Sequence, residues 1–81
     1  MITVKTFAQV RELSGCGQLQ VPFEAGLDVA SLILRLQQQS PAWHDALEGT
    51  VLCAVNQTLC DSSALLNEND EVAFFPPVTG G

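Results

Sequence analysis

Apolar residues recur along this chain with two different periods, and the changes between them mark out its elements. Ile2, Val4 and Thr6 alternate with Thr3, Lys5 and Phe7, the period of a strand. Ala8 to Leu13 fit a short helix that Gly15 ends. Leu19, Val21 and Phe23 then alternate with Gln18, Gln20 and Pro22, predicting a second strand, hairpin-like with the first across a long connection. Pro22 suits a position where its missing N–H faces no partner. Asp28 is placed to cap a helix whose apolar stripe is Val29, Leu32, Ile33 and Leu36, spaced i, i+3, i+4 and i+7, with Ser31, Arg35 and Gln38 away from its centre. Ser40-Pro41 predicts a cap and a first-turn proline for another short helix. Trp43, Ala46 and Leu47 give that helix its inner side, and Gly49 is expected to supply its left-handed stop.

Val51 to Val55 is an unbroken apolar run, which predicts a strand covered on both faces. Asn56-Gln57 is a tight-turn candidate leading to a short strand from Thr58 to Cys60. Leu65 and Leu66 make a small apolar plug, Asn67 to Asp70 is polar turn chemistry, and Glu71 to Phe75 is the last strand. Pro76-Pro77 stops it, because neither residue can donate to a ladder and both favour stiff, extended backbone. Strand, strand, helix, strand, short strand, strand in one chain of 81 residues predicts a single α+β domain. The architecture expected is a mixed sheet with one main helix packed across it. It is the order a β-grasp fold needs, with strand pairing left open.

Composition narrows the function classes. Nine acidic residues face three basic ones, for a net charge of −6. Such a surface repels phosphate backbones and anionic lipid, so neither nucleic acid nor membrane is expected as a partner, whereas a basic protein is compatible. Acidity that merely keeps a small domain in solution is an equal reading. The apolar runs are too short to span a bilayer and no leader pattern opens the chain, so the expectation is an unprocessed cytoplasmic protein. Cys16, Cys53 and Cys60 are odd in number without framework spacing, which predicts reduced thiols, Cys53 in the core and Cys16 in an exposed turn. One histidine, His44, and no metal-ligand spacing make a metal site unexpected.

The usual catalytic constellations are missing from this pattern. No phosphate-binding glycine loop is present, the serines have no evident base, and Asp45-Glu48 and Asp70-Glu71 read as solvated faces. The unusual stretch is the last one, Pro76, Pro77, Val78, Thr79, Gly80 and Gly81, which reaches at most about 20 Å. Two side-chain-free residues at the end leave a carboxylate unshielded and let backbone pass through a channel too narrow for a Cβ. A carboxylate is ionised at neutral pH and is a poor electrophile. ATP-dependent conversion to an acyl adenylate removes that obstacle, and a sulfur nucleophile then yields a thiocarboxylate. Two terminal glycines alone are equally compatible with a frayed tail. Period two turns Phe75 away from Val72 and Phe74, as it turns Phe7 away from Ile2 and Val4, and Leu59 is placed to share that outer face. These side chains form either a docking patch beside the tail or a second small core.

The ending from Asp70 through Phe74-Phe75-Pro76-Pro77-Val78-Thr79-Gly80-Gly81 resembles that of the small subunits of molybdopterin synthase. So do Phe7-Ala8-Gln9-Val10-Arg11-Glu12-Leu13 and Ala54-Val55-Asn56-Gln57, and the resemblance runs the whole length. It implies a ubiquitin-like β-grasp domain over residues 1–75 and an extended reactive tail over 76–81. It implies two protein partners: an adenylating enzyme of the ubiquitin-activator type, which consumes ATP, and the large synthase subunit, in a heterotetrameric enzyme. No cofactor is implied to be bound to the chain itself. Gly81 would carry the acyl adenylate and then the thiocarboxylate, and Gly80 would give the tail access to narrow sites. Sulfur would pass to a pyranopterin precursor in molybdenum cofactor biosynthesis, with most catalytic groups on the large subunit. Phe7, Leu59, Phe75, Pro76, Pro77, Val78 and Thr79 would meet the partner. Alternatives are a sulfur carrier of the thiazole type and a ubiquitin-like protein modifier.

Overall fold

The computed structural model describes residues 1–77; the expectations placed on Val78, Thr79, Gly80 and Gly81 lie outside the described residues. Chain order is β1 (Ile2–Thr6), α1 (Ala8–Ser14), β2 (Gln18–Val21), α2 (Val29–Gln39), α3 (Pro41–Leu47), β3 (Leu52–Val55), β4 (Thr58–Cys60) and β5 (Glu71–Phe75). The strands form one mixed sheet in the order β2-β1-β5-β3-β4. First and last strands pair in parallel at its centre, Val4 opposite Val72 and Thr6 opposite Phe74, while the other pairs are antiparallel. The chain therefore leaves the sheet at Phe75 from the middle strand, flanked by β1 and β3.

The alternation expected for β1 and β5 decides which face is covered. Ile2, Val4, Val72 and Phe74 have no exposure and pack with Val29, Leu32 and Leu36 of α2 and with Trp43, Ala46 and Leu47 of α3 in one apolar cluster. Burying a ring such as that of Phe74 stabilises the fold by about 1.5–3 kcal/mol. The helix α2 starts where Asp28 accepts the Ser31 backbone N–H at 2.8 Å, and α3 where Ser40 Oγ accepts that of Trp43 at 3.2 Å with Pro41 in the first turn. Helix α3 ends at Leu47 with Glu48 extended, so Gly49, at φ 80°, turns the chain just beyond the helix instead of ending it. Pro22 follows the last residue of the edge strand β2, where no ladder needs its N–H.

Four side-chain expectations need correcting. The strand β3 is not covered on both faces: Cys53 points into the core, whereas Leu52 and Ala54 belong to the opposite face, which no described element covers. Ala54 is enclosed there by its strand neighbours, not by a second layer. Asp70 is not solvated. It is buried, accepts Asn56 Nδ2 at 2.9 Å and the Asn67 backbone N–H at 2.8 Å, and so ties the turn before β5 to the β3–β4 turn. Cys16 is half-buried against the core, its thiol 3.3 Å from the Gln18 carbonyl. Of the Leu65-Leu66 plug only Leu66 is buried; Leu65 is 68% exposed.

Candidate functional site

The outer face of the sheet is built from the residues that the core leaves over. Extended backbone at Phe7 (φ −137°, ψ 153°) carries the β1 alternation one residue past the strand, and its N–H donates to the Phe74 carbonyl at 3.1 Å. Phe7 thereby comes level with Phe75, which is paired on its other side with Leu52. Ala8 then takes φ 51°, a left-handed turn uncommon for a residue with a Cβ, and swings the chain away into α1. The next row, Lys5, Ala73, Ala54 and Leu59, crosses four strands. Phe7 is 50% exposed and Leu59 68%, so neither ring nor branch fills a second core. Phe75 and Pro76 are half-buried and Pro77 is exposed.

Phe7, Leu59 and Phe75 thus share one sheet face, joined by Leu52, Ala73 and Ala54. An ion pair between Lys5 Nζ and Glu71 at 3.1 Å bounds the patch toward the start of β5. The contribution of Leu52 and Ala54 was missed in the sequence because an unbroken apolar run does not say whether its second face meets a helix or a partner.

Behind the base of the tail, a cleft of about 320 Å³ opens between α1, the end of α3 and Pro76, floored by Val10, Leu13, Ala46 and Val51 with Asp45 and Glu48 at its rim. His44 Nδ1 lies 3.5 Å from Asp45 and 4.0 Å from Glu48, all three exposed. Nothing buried orients that group, and it is a solvated helix end. Among the described residues, the shifted acidic groups are Asp28 and Asp61, each held below the usual carboxylate range by local hydrogen bonds, from Ser31 and Ser63 respectively. Both serve loops and helix starts, not a reaction centre.

The described residues thus gather an exposed apolar patch around the exit of the last strand. The ThiS family model matches residues 4–81, nearly the whole chain. The chain belongs to the ThiS family. Two relatives with the same name, molybdopterin synthase sulfur carrier subunit, are 50% identical over all of both chains in Escherichia coli and 43% identical over all of both chains in Haemophilus influenzae. Among solved structures, a small archaeal modifier protein from Haloferax volcanii superposes with a TM-score of 0.83 at 24% identity, covering 99% of this chain and 98% of that one. A complex of subunits 1 and 2 of molybdopterin-converting factor from Helicobacter pylori contains a chain that superposes at 0.71 and 23% identity, covering 99% of this chain and 97% of that one. The fold of this ThiS-family chain is thus the ubiquitin-like β-grasp, with its patch on the sheet face away from the helices.

Proposed function

We propose that this chain is the sulfur carrier subunit of a molybdopterin synthase, with residues 1–75 as a folded handle and 76–81 as the reactive tail. The observation that carries the reading is the end-to-end 50% identity to a sulfur carrier subunit of that enzyme. The apolar patch around the base of the tail agrees with it, since a carrier must dock before its end can enter another protein's site.

In this reading the Gly81 carboxylate attacks the α-phosphate of ATP on an activating enzyme, forming the acyl adenylate and releasing pyrophosphate. A sulfur nucleophile then adds to the acyl carbon and AMP leaves, so that Gly81 ends as a thiocarboxylate. Docked on the large subunit, the tail presents that sulfur to a pyranopterin precursor, and the carboxylate is regenerated after transfer. With three cations in the whole chain, stabilising the charge that develops in these steps falls to the partners. Gly80 keeps the tail slim where it enters them, and Val78 and Thr79 with Pro76 and Pro77 line its approach. ATP is a substrate of the activating partner, and the cycle takes place in the cytoplasm.

Intact-mass measurement after incubation with the activating enzyme, ATP and a sulfur source tests this directly. The expected result is replacement of one oxygen by sulfur at the C-terminus in the full chain and none after deletion of Gly81, with thermal unfolding of the two proteins alike. Isopeptide-linked conjugates instead of a thiocarboxylate would make the chain a protein modifier, and loss of fold on deletion of Gly81 would remove the division into handle and tail.

A further inference from the structure

Cys53 on β3 and Cys60 on β4 stand opposite each other across the hairpin, their sulfur atoms 3.5 Å apart and neither joined in a disulfide. Their placement follows from the turn. Asn56-Gln57, both left-handed at φ 50° and 68°, is a two-residue connection that leaves Val55 and Thr58 as the bonded pair beside it. Alternation then makes Cys53 and Cys60 the next bonded pair, with Cα atoms about 5.5 Å apart. That lies inside the roughly 4.4–6.8 Å window a disulfide spans. The two thiols differ in surroundings. Cys53 is buried at 7% exposure, whereas Cys60, on the edge strand, is partly open.

We propose that Cys53 and Cys60 are a reversible dithiol–disulfide pair whose substrates are low-molecular-weight disulfides, Cys60 capturing and Cys53 resolving. The Cys60 thiolate attacks one sulfur of the small disulfide, forming a mixed disulfide and expelling one thiolate. Cys53 loses its proton to solvent and attacks Cys60 Sγ, breaking the mixed disulfide and releasing the second thiolate. Two protein thiols are oxidised and one small disulfide is reduced to two thiols. Burial, reinforced by the Cys60 contact, pushes the Cys53 thiol up to about 12, so capture from solution falls to Cys60 and the closing step, carried by proximity alone, is slow at neutral pH. The ring closed from residue 53 to 60 is short, so the link stabilises the fold less than a long-range one would, and Cys60 on the edge strand leaves it open to a reducing thiol. The exchange frees Cys60 of captured thiols on the strand whose Leu59 is the most exposed side chain of the apolar patch, and it holds whether or not the chain carries sulfur.

Full-length reduced protein treated with oxidised glutathione, followed by intact mass and peptide mapping, tests the pair. Expected are loss of two hydrogens from the Cys53–Cys60 pair and a peptide linking the two, with Cys16, whose thiol is partly open to solvent, outside the link. Cys53→Ser is expected to keep a glutathione on Cys60. Closure should quicken about tenfold per pH unit as the Cys53 thiolate fraction grows. A stable glutathione adduct on Cys60 of the unsubstituted chain, a link through Cys16, or a fully reduced protein under excess oxidised glutathione would each overturn the proposal. The mapping is decisive on the natural sequence, so a poorly folding variant does not remove the test.

Discussion

Asp28 stands where three constraints meet. Its carboxylate caps α2 through Ser31, its residue bridges to Leu65, and the neighbouring Val29 and Ala30 N–H groups donate to the Ala64 and Ser62 carbonyls. The hydrogen bond from the Ser31 backbone holds the carboxyl below its ordinary value. A depressed folded-state value means that the stabilisation is present above the unfolded carboxylate value, about 3.9, and is lost as pH falls through the folded one. Asp28→Ala should therefore lower the melting temperature by roughly 5 °C at pH 7. The gap between the two proteins should close in melts below about pH 4. A gap that stays constant down to pH 2 would assign the effect to something other than the charged cap. This cap was legible in the sequence because donor and acceptor lie three residues apart. Asp70 was not, because Asn56, which explains its burial, is brought to it only by the pairing of β3 with β5.

The element that most rewards separate treatment is the β3–β4 hairpin, since one side of it serves the core and the other the patch. Cys53 faces inward opposite Phe74, while Leu59 faces outward opposite Ala54. The pattern of Leu32 and Leu36 against Arg35 is likewise two-sided, and α2 was readable from it because a helix surrounded by water on one side advertises that side with polar residues. The hairpin advertises nothing, because its second face is apolar too. Two substitutions, one in the hairpin and one in α2, separate the proposed docking from folding. Leu59→Ala removes a side chain that is already mostly in water and should leave the melting temperature within about 2 °C while weakening capture of the large subunit by about 1–3 kcal/mol. Leu32→Ala empties a fully buried position and should cost about 2–5 kcal/mol of stability. Chemical denaturation of both, beside a binding titration of the Leu59 variant, checks the contrast. A Leu59 variant with normal capture would move the interface off this face.

At the scale of the whole molecule, charge and shape would act at different stages of the proposed docking. Nine carboxylates outnumber three cations, and two of those cations already sit beside carboxylates, Lys5 with Glu71 and Arg35 with Glu24. The field around the chain is therefore negative with little to offset it, while the patch around Phe7, Phe75 and Leu59 is apolar. A long-range field acts on encounter, and desolvated contact acts on residence, so the two should respond to different perturbations. The screening length falls from about 10 Å at 0.1 M salt to about 3 Å at 1 M. Raising sodium chloride from about 0.05 M to about 0.5 M should slow association with the proposed partner, the large subunit, roughly tenfold and leave dissociation nearly unchanged. Leu59→Ala should do the reverse, speeding dissociation at unchanged association. Stopped-flow mixing followed by dilution measures both constants on the same pair of proteins. Association indifferent to salt would reduce the charge of −6 to a means of staying in solution and leave recognition to the apolar face alone.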